Sequence, residues 1–427
     1  MIKTFLRKHG FDIASLDIEK LLASFASEMD AGLAGRPSSL AMIPSYLSTD
    51  AKIPVGRSVI VVDAGGTNLR VSTVSFDAAG KPEISHFSKY AMPGTDREVS
   101  ADEFFSILAG YVEPVLKYAD DIGFCFSYAC EITPDCDGRL LHWSKQIKAP
   151  EVVGRLVGSE LRAKLAPMGF KGKITVLNDT VATLLAGVSA GIAHRYSAYV
   201  GIILGTGTNT ATVVGNADIV KCPSLPAGSM IVNMETGDFA QVPMTDFDNR
   251  LHAQTLDPGA FKFEKQISGG YLGALGLVVL KAAAEEGIFS DAAASQILAM
   301  RALENKDFDN FCDDPFVADN ALSALRLTDA DRRAIQEIGE AVYARASLLS
   351  AVNIAVGIIR AGSGRDPLSP VCANIDGSTY YRTRTAEFKS RTEEVVRAIL
   401  APRGIHYRTV CIPDSPVIGA AVAGLTR

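Results

Sequence analysis

The sequence predicts an α/β protein of more than one packed unit, and three observations carry that expectation. Two stretches echo each other: residues 59–76 read V-I-V-V-D-A-G-G-T-N-L-R-V-S-T-V-S-F and residues 199–215 read Y-V-G-I-I-L-G-T-G-T-N-T-A-T-V-V-G. Each is an apolar β-branched run, a Gly-Thr tip and a second alternating run, the pattern of a hairpin with no bulk at its turn. Elsewhere, short apolar runs alternate with segments of helical period, as in packed α/β units. A length of 427 residues exceeds one ordinary core, and at roughly 150 residues per domain it points to two or three.

Composition narrows the class. A chain that is 48% hydrophobic and 21% charged is globular and buries large cores, with no sign of disorder. The net charge of −6 offers no broad positive field for nucleic acid or an anionic membrane. The basic runs Lys3, Arg7, Lys8 and Arg382, Arg384, Lys389, Arg391 read as solvated helix faces. Seven cysteines without a C-x-x-C pair suit a reducing compartment, and Cys125, Cys130 and Cys136, whose spacing matches no zinc site, read as core thiols. Residues 1–10 hold no apolar run suited to a signal peptide, and residues 348–359 are too short to span a bilayer, so they read as a buried helix. The expected location is cytoplasmic.

In chain order, residues 11–48 read as one or two amphipathic helices with a break at 35–38. After the first hairpin, Ser100 and Glu103 form a capping-box pattern ahead of Phe104, Phe105, Leu108 and Val112. Residues 122–126 read as a strand. Val152, Val153, Leu156, Val157, Leu161 and Leu165 fall at helical spacing, then a strand at 174–177 and an apolar helix from Val181. Asn178 and Asp179 thus sit where a strand ends and a helix begins, the edge at which open α/β sheets bind ligands. The second half turns helical: 261–285 as one segment, 291–303, and a helix opened by Thr328 with Asp331 that runs to about 359. A Gly-Ser-Gly-Arg-Asp-Pro loop at 362–367 leads to a strand at 371–375, and helix, strand and helix close the chain. No short-period repeat or low-complexity linker appears beyond the paired hairpins.

The tips suggest a phosphate clamp. Glycines let several backbone N–H groups aim at one point, and threonine hydroxyls add donors without bulk. Neither tip is a P-loop or a dinucleotide fingerprint. Asp63, two residues before Gly65, can hold hydrated Mg²⁺ beside the phosphates, while Arg70 can pair with phosphate or with a neighbouring carboxylate. Asp179 has two readings, helix cap or general base for a hydroxyl that attacks a phosphoryl group. Asn209, Glu235 and Glu264 read singly as turn and surface residues, Glu264 because lysines flank it. Together they are the planar groups that pair with vicinal sugar hydroxyls.

Taken in order, these pieces resemble the hexokinase family of the actin-like ATPase superfamily. The matching stretches are D-A-G-G-T-N-L-R-V at 63–71, G-F-C-F-S-Y-A-C at 123–130, L-L-H-W-S-K-Q-I-K-A at 140–149, L-N-D-T-V-A-T at 177–183 and G-I-I-L-G-T-G-T-N at 201–209. They continue with V-N-M-E-T-G-D-F at 232–239, F-E-K-Q-I-S-G-G-Y-L-G at 263–273, N-I-D-G-S-T-Y at 374–380 and G-A-A at 419–421. The resemblance implies two lobes, each on a ribonuclease-H-like mixed sheet with flanking helices, and a cleft between them. Residues 57–181 with 413–427 would form the small lobe, and 1–56 with 182–412 the large one.

By the same resemblance, Asp179 is the catalytic base, and Ser127, Ser144, Lys145, Asn178, Asn209, Glu235 and Glu264 contact the sugar. Asp63, Gly65, Gly66, Thr67, Asn68 and Arg70 correspond to one phosphate loop and Gly205, Thr206, Gly207 and Thr208 to the other, with Asp376, Gly377 and Gly419 also on the nucleotide side. The implied reaction is phosphorylation of the 6-hydroxyl of glucose or a related hexose by ATP with Mg²⁺, with small molecules as partners and a monomer or homodimer as the assembly. Ala129, Gln146-Ile147 and Thr236 depart from the family pattern on the sugar side, and D-S-P-V at 414–417 on the nucleotide side. Three alternatives stand beside this: a sugar-independent actin- or chaperone-like ATPase, a catalytically silent hexose sensor, and an N-acetylhexosamine kinase.

Overall fold

The computed structural model describes residues 1–143, 147–191 and 194–427. The described residues hold thirteen strands, numbered here in chain order, in two large sheets and one small one. The first sheet has the order β4-β3-β2-β5-β8, from β2 (Val59–Ala64), β3 (Asn68–Phe76), β4 (Pro82–Ala91), β5 (Ile122–Phe126) and β8 (Ile174–Leu177). The second has the order β1-β11-β10-β9-β12-β13, from β1 (Ile43–Pro44), β9 (Ala198–Leu204), β10 (Thr208–Gly215), β11 (Ser229–Asn233), β12 (Val371–Asp376) and β13 (Tyr407–Val410). A hairpin of β6 (Ala129–Ile132) and β7 (Gly138–His142) is the third.

Apart from β1, the two large sheets are the same object twice. In each, three antiparallel strands are followed by two parallel ones, in the spatial order 3-2-1-4-5. The sequence echo at the hairpins therefore marks a repeat of the whole sheet. Every residue of β2 is buried, which is why it is an uninterrupted apolar run and not an alternating one.

In each half a helix follows the fifth strand and crosses to the other sheet. Helix Asp179–Ala190 leaves β8 and lies on β9, where a Cβ on Gly201 would stand 2.4 Å from Leu184 N and 2.6 Å from Thr180 O. Helix Ser415–Thr426 follows β13 and lies on β5, where a Cβ on Gly123 would stand 1.9 Å from Ala420 O. The two helices meet at Gly419, whose absent Cβ would lie 1.7 Å from Ala182 O. Glycine and alanine line these contacts because two sheets and two helices can stack so closely only without side chains between them.

The outer faces carry the remaining helices. Phe104, Phe105 and Leu108 of helix Ala101–Val112 and Leu161 and Leu165 of helix Val157–Leu165 cover the first sheet. Helix Asp329–Arg360 covers the second; it is long and apolar enough to cross a membrane by composition, but 89% of its most apolar window is buried in the core. It opens with the expected capping box, Thr328 and Asp331 exchanging side-chain and backbone bonds.

Four expectations are corrected. The 261–285 segment is two helices, Glu264–Ile267 and Leu272–Glu285, because the N–H groups of Gly269 and Gly270 bond to Gly205 O (2.8 Å) and Thr206 O (3.0 Å) and not to the preceding turn. The helix read from Val152 begins at Val157, after a 3-10 turn at Pro150–Val152. Ser100 caps Glu103 N, but the Glu103 carboxylate pairs with Arg97 instead of closing the box. The helix read from Val181 starts at Asp179. Cys125, Cys130 and Cys136 are buried free thiols, as read.

Candidate active site

Both hairpin tips have spent most of their carbonyls and kept several N–H groups unpaired among the described residues. At the first tip, Ser127 N donates to Ala64 O (3.2 Å), Met92 N to Thr67 O (3.0 Å) and the Tyr128 hydroxyl to Gly66 O. At the second, Gly269 N and Thr379 Oγ1 both donate to Gly205 O (2.8 Å each), Gly270 N to Thr206 O, and Gly205 N to Gly207 O (2.9 Å). The N–H groups of Gly65, Gly66 and Thr67 on one side, and of Thr206 and Gly207 on the other, have no acceptor among the described residues. Unpaired N–H groups around a carbonyl-depleted turn form an anion cradle.

The strand ends beside the first tip carry carboxylates. Asp63, at the end of β2, is buried, and its carboxyl is pushed up to about 6 by burial first and then by the charges of Asp179 and Asp414, against the pull of Arg70. Arg70 Nη1 lies 3.6 Å from Asp63 and 3.9 Å from Asp414, so its partners here are carboxylates. Asp376, at the end of β12, is raised by burial and then by Asp179 and Asp414. Gly377 follows it at φ +126° and packs where a Cβ would lie 2.2 Å from Leu204 O, at the base of the second tip.

The two readings of Asp179 separate cleanly. Asn178 is the cap: its Oδ1 accepts from Thr180 N at 2.8 Å. Asp179 is the first helical residue, half-buried, and among the described residues its carboxylate accepts one hydrogen bond, a 3.3 Å contact from Thr180 Oγ1. Its carboxylate is thus not consumed in starting the helix, and its charge is felt by Asp63, Asp376 and Glu235 alike.

On the other side a polar chain runs into the cleft. Asn209 Nδ2 donates to Asn233 Oδ1 (2.8 Å), and Asn233 Nδ2 donates to Glu235 Oε1 (2.6 Å). Asn209 Oδ1 accepts from Thr210 N (2.7 Å) and Thr236 N (3.3 Å), which fixes its amide orientation. Glu235 takes a left-handed φ of 58° that a non-glycine residue adopts at a cost of about 1 kcal/mol or more. Its carboxyl is pushed up to about 7, by burial first and then by Asp179, Asp238 and Glu264, against the Asn233 bond. Asn178, Asn233 and Glu235 line one small cavity together with Phe126 and Tyr128, which joins residues of both halves.

Glu264 is not a surface charge. Its Oε2 accepts from Thr208 N at 2.9 Å, it is half-buried, and burial raises its pKa. The lysine beside it, Lys265, is fully buried and bonds Thr255 Oγ1, Asp257 O and Asp257 Oδ1 at 2.8–3.0 Å. Gly207 leaves room for this carboxylate, since a Cβ there would lie 2.7 Å from Glu264 Oε2.

Ser144 and Lys145 lie outside the described residues. Ser127 sits at the end of β5 beside Ala64. Asn68 is exposed, its amide only 3.4 Å from Thr67 Oγ1. Gly419 is buried against Ala182, which accounts for its small size by helix packing. Sequence reasoning gave Asn233 no role, and it named Tyr128 and Asp414 only within longer stretches; the N-x-E spacing at 233–235 is the signal that could have disclosed Asn233. Among the described residues no group of three or more His, Cys, Asp or Glu side chains is placed to hold a metal ion directly.

Two family models, each described as hexokinase, match residues 3–189 and 199–426. The chain is 31% identical over 441 aligned residues to Hexokinase-7 of Oryza sativa subsp. japonica, covering 95% of this chain and 92% of that protein. It is 29% identical to Hexokinase-2 of Candida albicans over 98% and 90% of the two chains. Among solved structures, a hexokinase from Schistosoma mansoni complexed with glucose superposes with TM-score 0.79 at 23% identity, covering 100% of this chain and 99% of that one. A glucokinase from an Antarctic psychrotroph superposes with TM-score 0.54 at 16% identity over 86% and 98%.

Proposed function

The chain belongs to the hexokinase family and is a hexose phosphotransferase, and from that premise we propose that it transfers the γ-phosphoryl group of ATP to the 6-hydroxyl of glucose or a close hexose. The observation that carries the finer reading is the position of Asp179, a helix-start carboxylate relieved of capping by Asn178 and electrostatically coupled to both the phosphate side and the sugar side. Asp179 takes the proton of the attacking hydroxyl as the new O–P bond forms and the bond from the γ-phosphorus to the β,γ-bridging oxygen breaks, releasing ADP. Asn209, Glu235 and Glu264 hold the hexose hydroxyls, with Ser127 and Asn178 facing them from the first sheet. The free N–H groups of the two tips hold the phosphates.

Asp63 would hold Mg²⁺ through water, a hard oxygen donor at a place where burial and the neighbouring charges of Asp179 and Asp414 already disfavour its ionised form and a cation would favour it. When bound with ATP, the ion neutralises charge on the phosphates. The two lobes in this reading are 57–181 with 413–427 and 1–56 with 182–412, and the enzyme is cytoplasmic.

The test is Asp179→Asn in a coupled kinase assay with calorimetry. Turnover should fall about 10²- to 10⁴-fold with hexose affinity kept; a variant that keeps most of its turnover would overturn the assignment. A substrate panel of glucose, mannose, fructose, glucosamine and N-acetylglucosamine resolves which hexose is preferred.

A further inference from the structure

A cleft of about 580 Å³ opens at the starts of β9, β12 and β13, at the opposite strand ends from the second tip. From Tyr196 to Gly205 the extended chain spans roughly 30 Å at about 3.3 Å per residue, so this cleft is separate from the active site. Arg195, Arg397 and Arg408 line it with His194 and His406, and among the described residues no carboxylate does.

None of the three arginines pairs with a carboxylate among the described residues, in a chain whose exposed arginines commonly do, as Arg97 does with Glu103, Arg155 with Glu160 and Arg391 with Glu340. Three guanidinium groups without a carboxylate partner lining one cleft, in a protein of net charge −6, make a local positive patch that an external anion can pair with. Guanidinium groups suit phosphate in particular, because their planar donors bond two oxygens at once.

The walls are built and held. Gly364 N donates to Ser197 Oγ (2.9 Å), His406 N to Gly364 O (2.8 Å), Val371 N to His406 O (2.9 Å) and Ser197 N to Pro370 O (3.0 Å), tying the three lining segments together. Gly364 has φ +83° and would place a Cβ 2.6 Å from His406 O, so this close join needs glycine. The lining also includes the apolar residues Pro367, Ile405 and Leu368, the last 81% exposed. The Tyr196 hydroxyl, also in the lining, is buried with no hydrogen-bond partner among the described residues.

We propose that this cleft binds a small organic phosphate, its phosphate on Arg195, Arg397 and Arg408 and its ring against Leu368 and Ile405. The basic residues line a half-open cleft of about 580 Å³, a size that suits a small molecule, in a chain of net charge −6 with no broad positive field for a polymer.

The experiment titrates AMP and inorganic phosphate by calorimetry into the full chain, into the triple variant Arg195→Gln, Arg397→Gln, Arg408→Gln, and into a charge-matched control, Arg301→Gln, Arg326→Gln, Arg333→Gln. AMP held at the catalytic tips is common to all three proteins, so the difference reads the cleft alone. The cleft variant should lose one binding event by about tenfold or more while the control keeps it. Leu368→Asp, which removes no arginine, should weaken AMP in the cleft by a similar factor. Indistinguishable isotherms for wild type and cleft variant, or an equal loss in the control, would overturn the proposal. Equal affinity for AMP and inorganic phosphate would overturn the organic half of it.

Discussion

The two hairpin tips sit at equivalent places in two sheets of the same strand order, yet they are anchored by different chemistry. The first is held by neutral donors, Ser127 N, Met92 N and the Tyr128 hydroxyl, and faces a cluster of Asp63, Asp414 and Arg70. The second is held by Gly269, Gly270 and Thr379, and through Thr208 N by the carboxylate of Glu264. A duplicated scaffold has therefore been divided. One tip faces a cluster of charges, and the other is wired to Glu264, so that under the proposed function occupancy of the sugar site and the posture of the phosphate tip would share one side chain.

The largest expected effect tests that wiring. Glu264→Ala should weaken both hexose and ATP, lowering kcat/KM by about 10²- to 10³-fold for each, because it removes a hydroxyl partner and leaves Thr208 N unpaired. Asp63→Asn should lower turnover comparably while leaving hexose affinity unchanged. Steady-state kinetics with each substrate varied in turn checks this, and a Glu264→Ala enzyme with a normal KM for ATP would break the comparison.

A smaller effect concerns folding. Gly377→Ala forces a Cβ to 2.2 Å from Leu204 O at a φ of +126°, so it should cost about 3 kcal/mol or more in urea unfolding. Gly65→Ala meets only Asp63 Oδ1, at an ordinary 3.6 Å. That variant should unfold like the wild type and show a raised KM for ATP. If the two variants unfold alike, the second tip is not the more tightly built of the pair.

Much of this was legible in the residues, for reasons that also mark where legibility ends. Both tips, and Asp179 at its strand-to-helix junction, stand in local patterns that a single window displays. β4 did not, because it is a mostly exposed edge strand reading P-E-I-S-H-F-S-K-Y-A, without the apolar alternation that burial imposes. Glu264 looked like a solvated charge between lysines because nothing local says that Lys265 is buried against Asp257, eight positions away. The break at 268–270 was hidden for the same reason: the helical period is intact there, and it is tip carbonyls some 60 residues earlier in the chain that capture the two glycine N–H groups. Two same-ordered sheets could not be inferred from two similar hairpins, since the fourth and fifth strands share no motif.

The smallest effect separates the carboxylates of the two halves by pH. Asp63 is raised to about 6 and Glu235 to about 7, each by burial before any neighbouring charge. For an acid whose folded pKa exceeds its unfolded value, the folded state binds the extra proton between the two. Its stabilising contribution is complete below the unfolded pKa and is lost as pH rises through the folded one. For Glu235 that window runs from 4.5 to about 7. The unliganded protein should thus lose stability on going from acidic to neutral pH. Glu235→Gln should remove about 2 kcal/mol of that loss, allowing for solvent screening at its open side. Asp63→Asn should remove a similar amount over a window ending nearer 6. Urea melts of the wild type and both variants across this range decide the matter. If the Glu235→Gln curve runs parallel to the wild type, Glu235 is ionised in the folded protein at neutral pH. The cleft would then carry full negative charge on both of its walls before any substrate arrives.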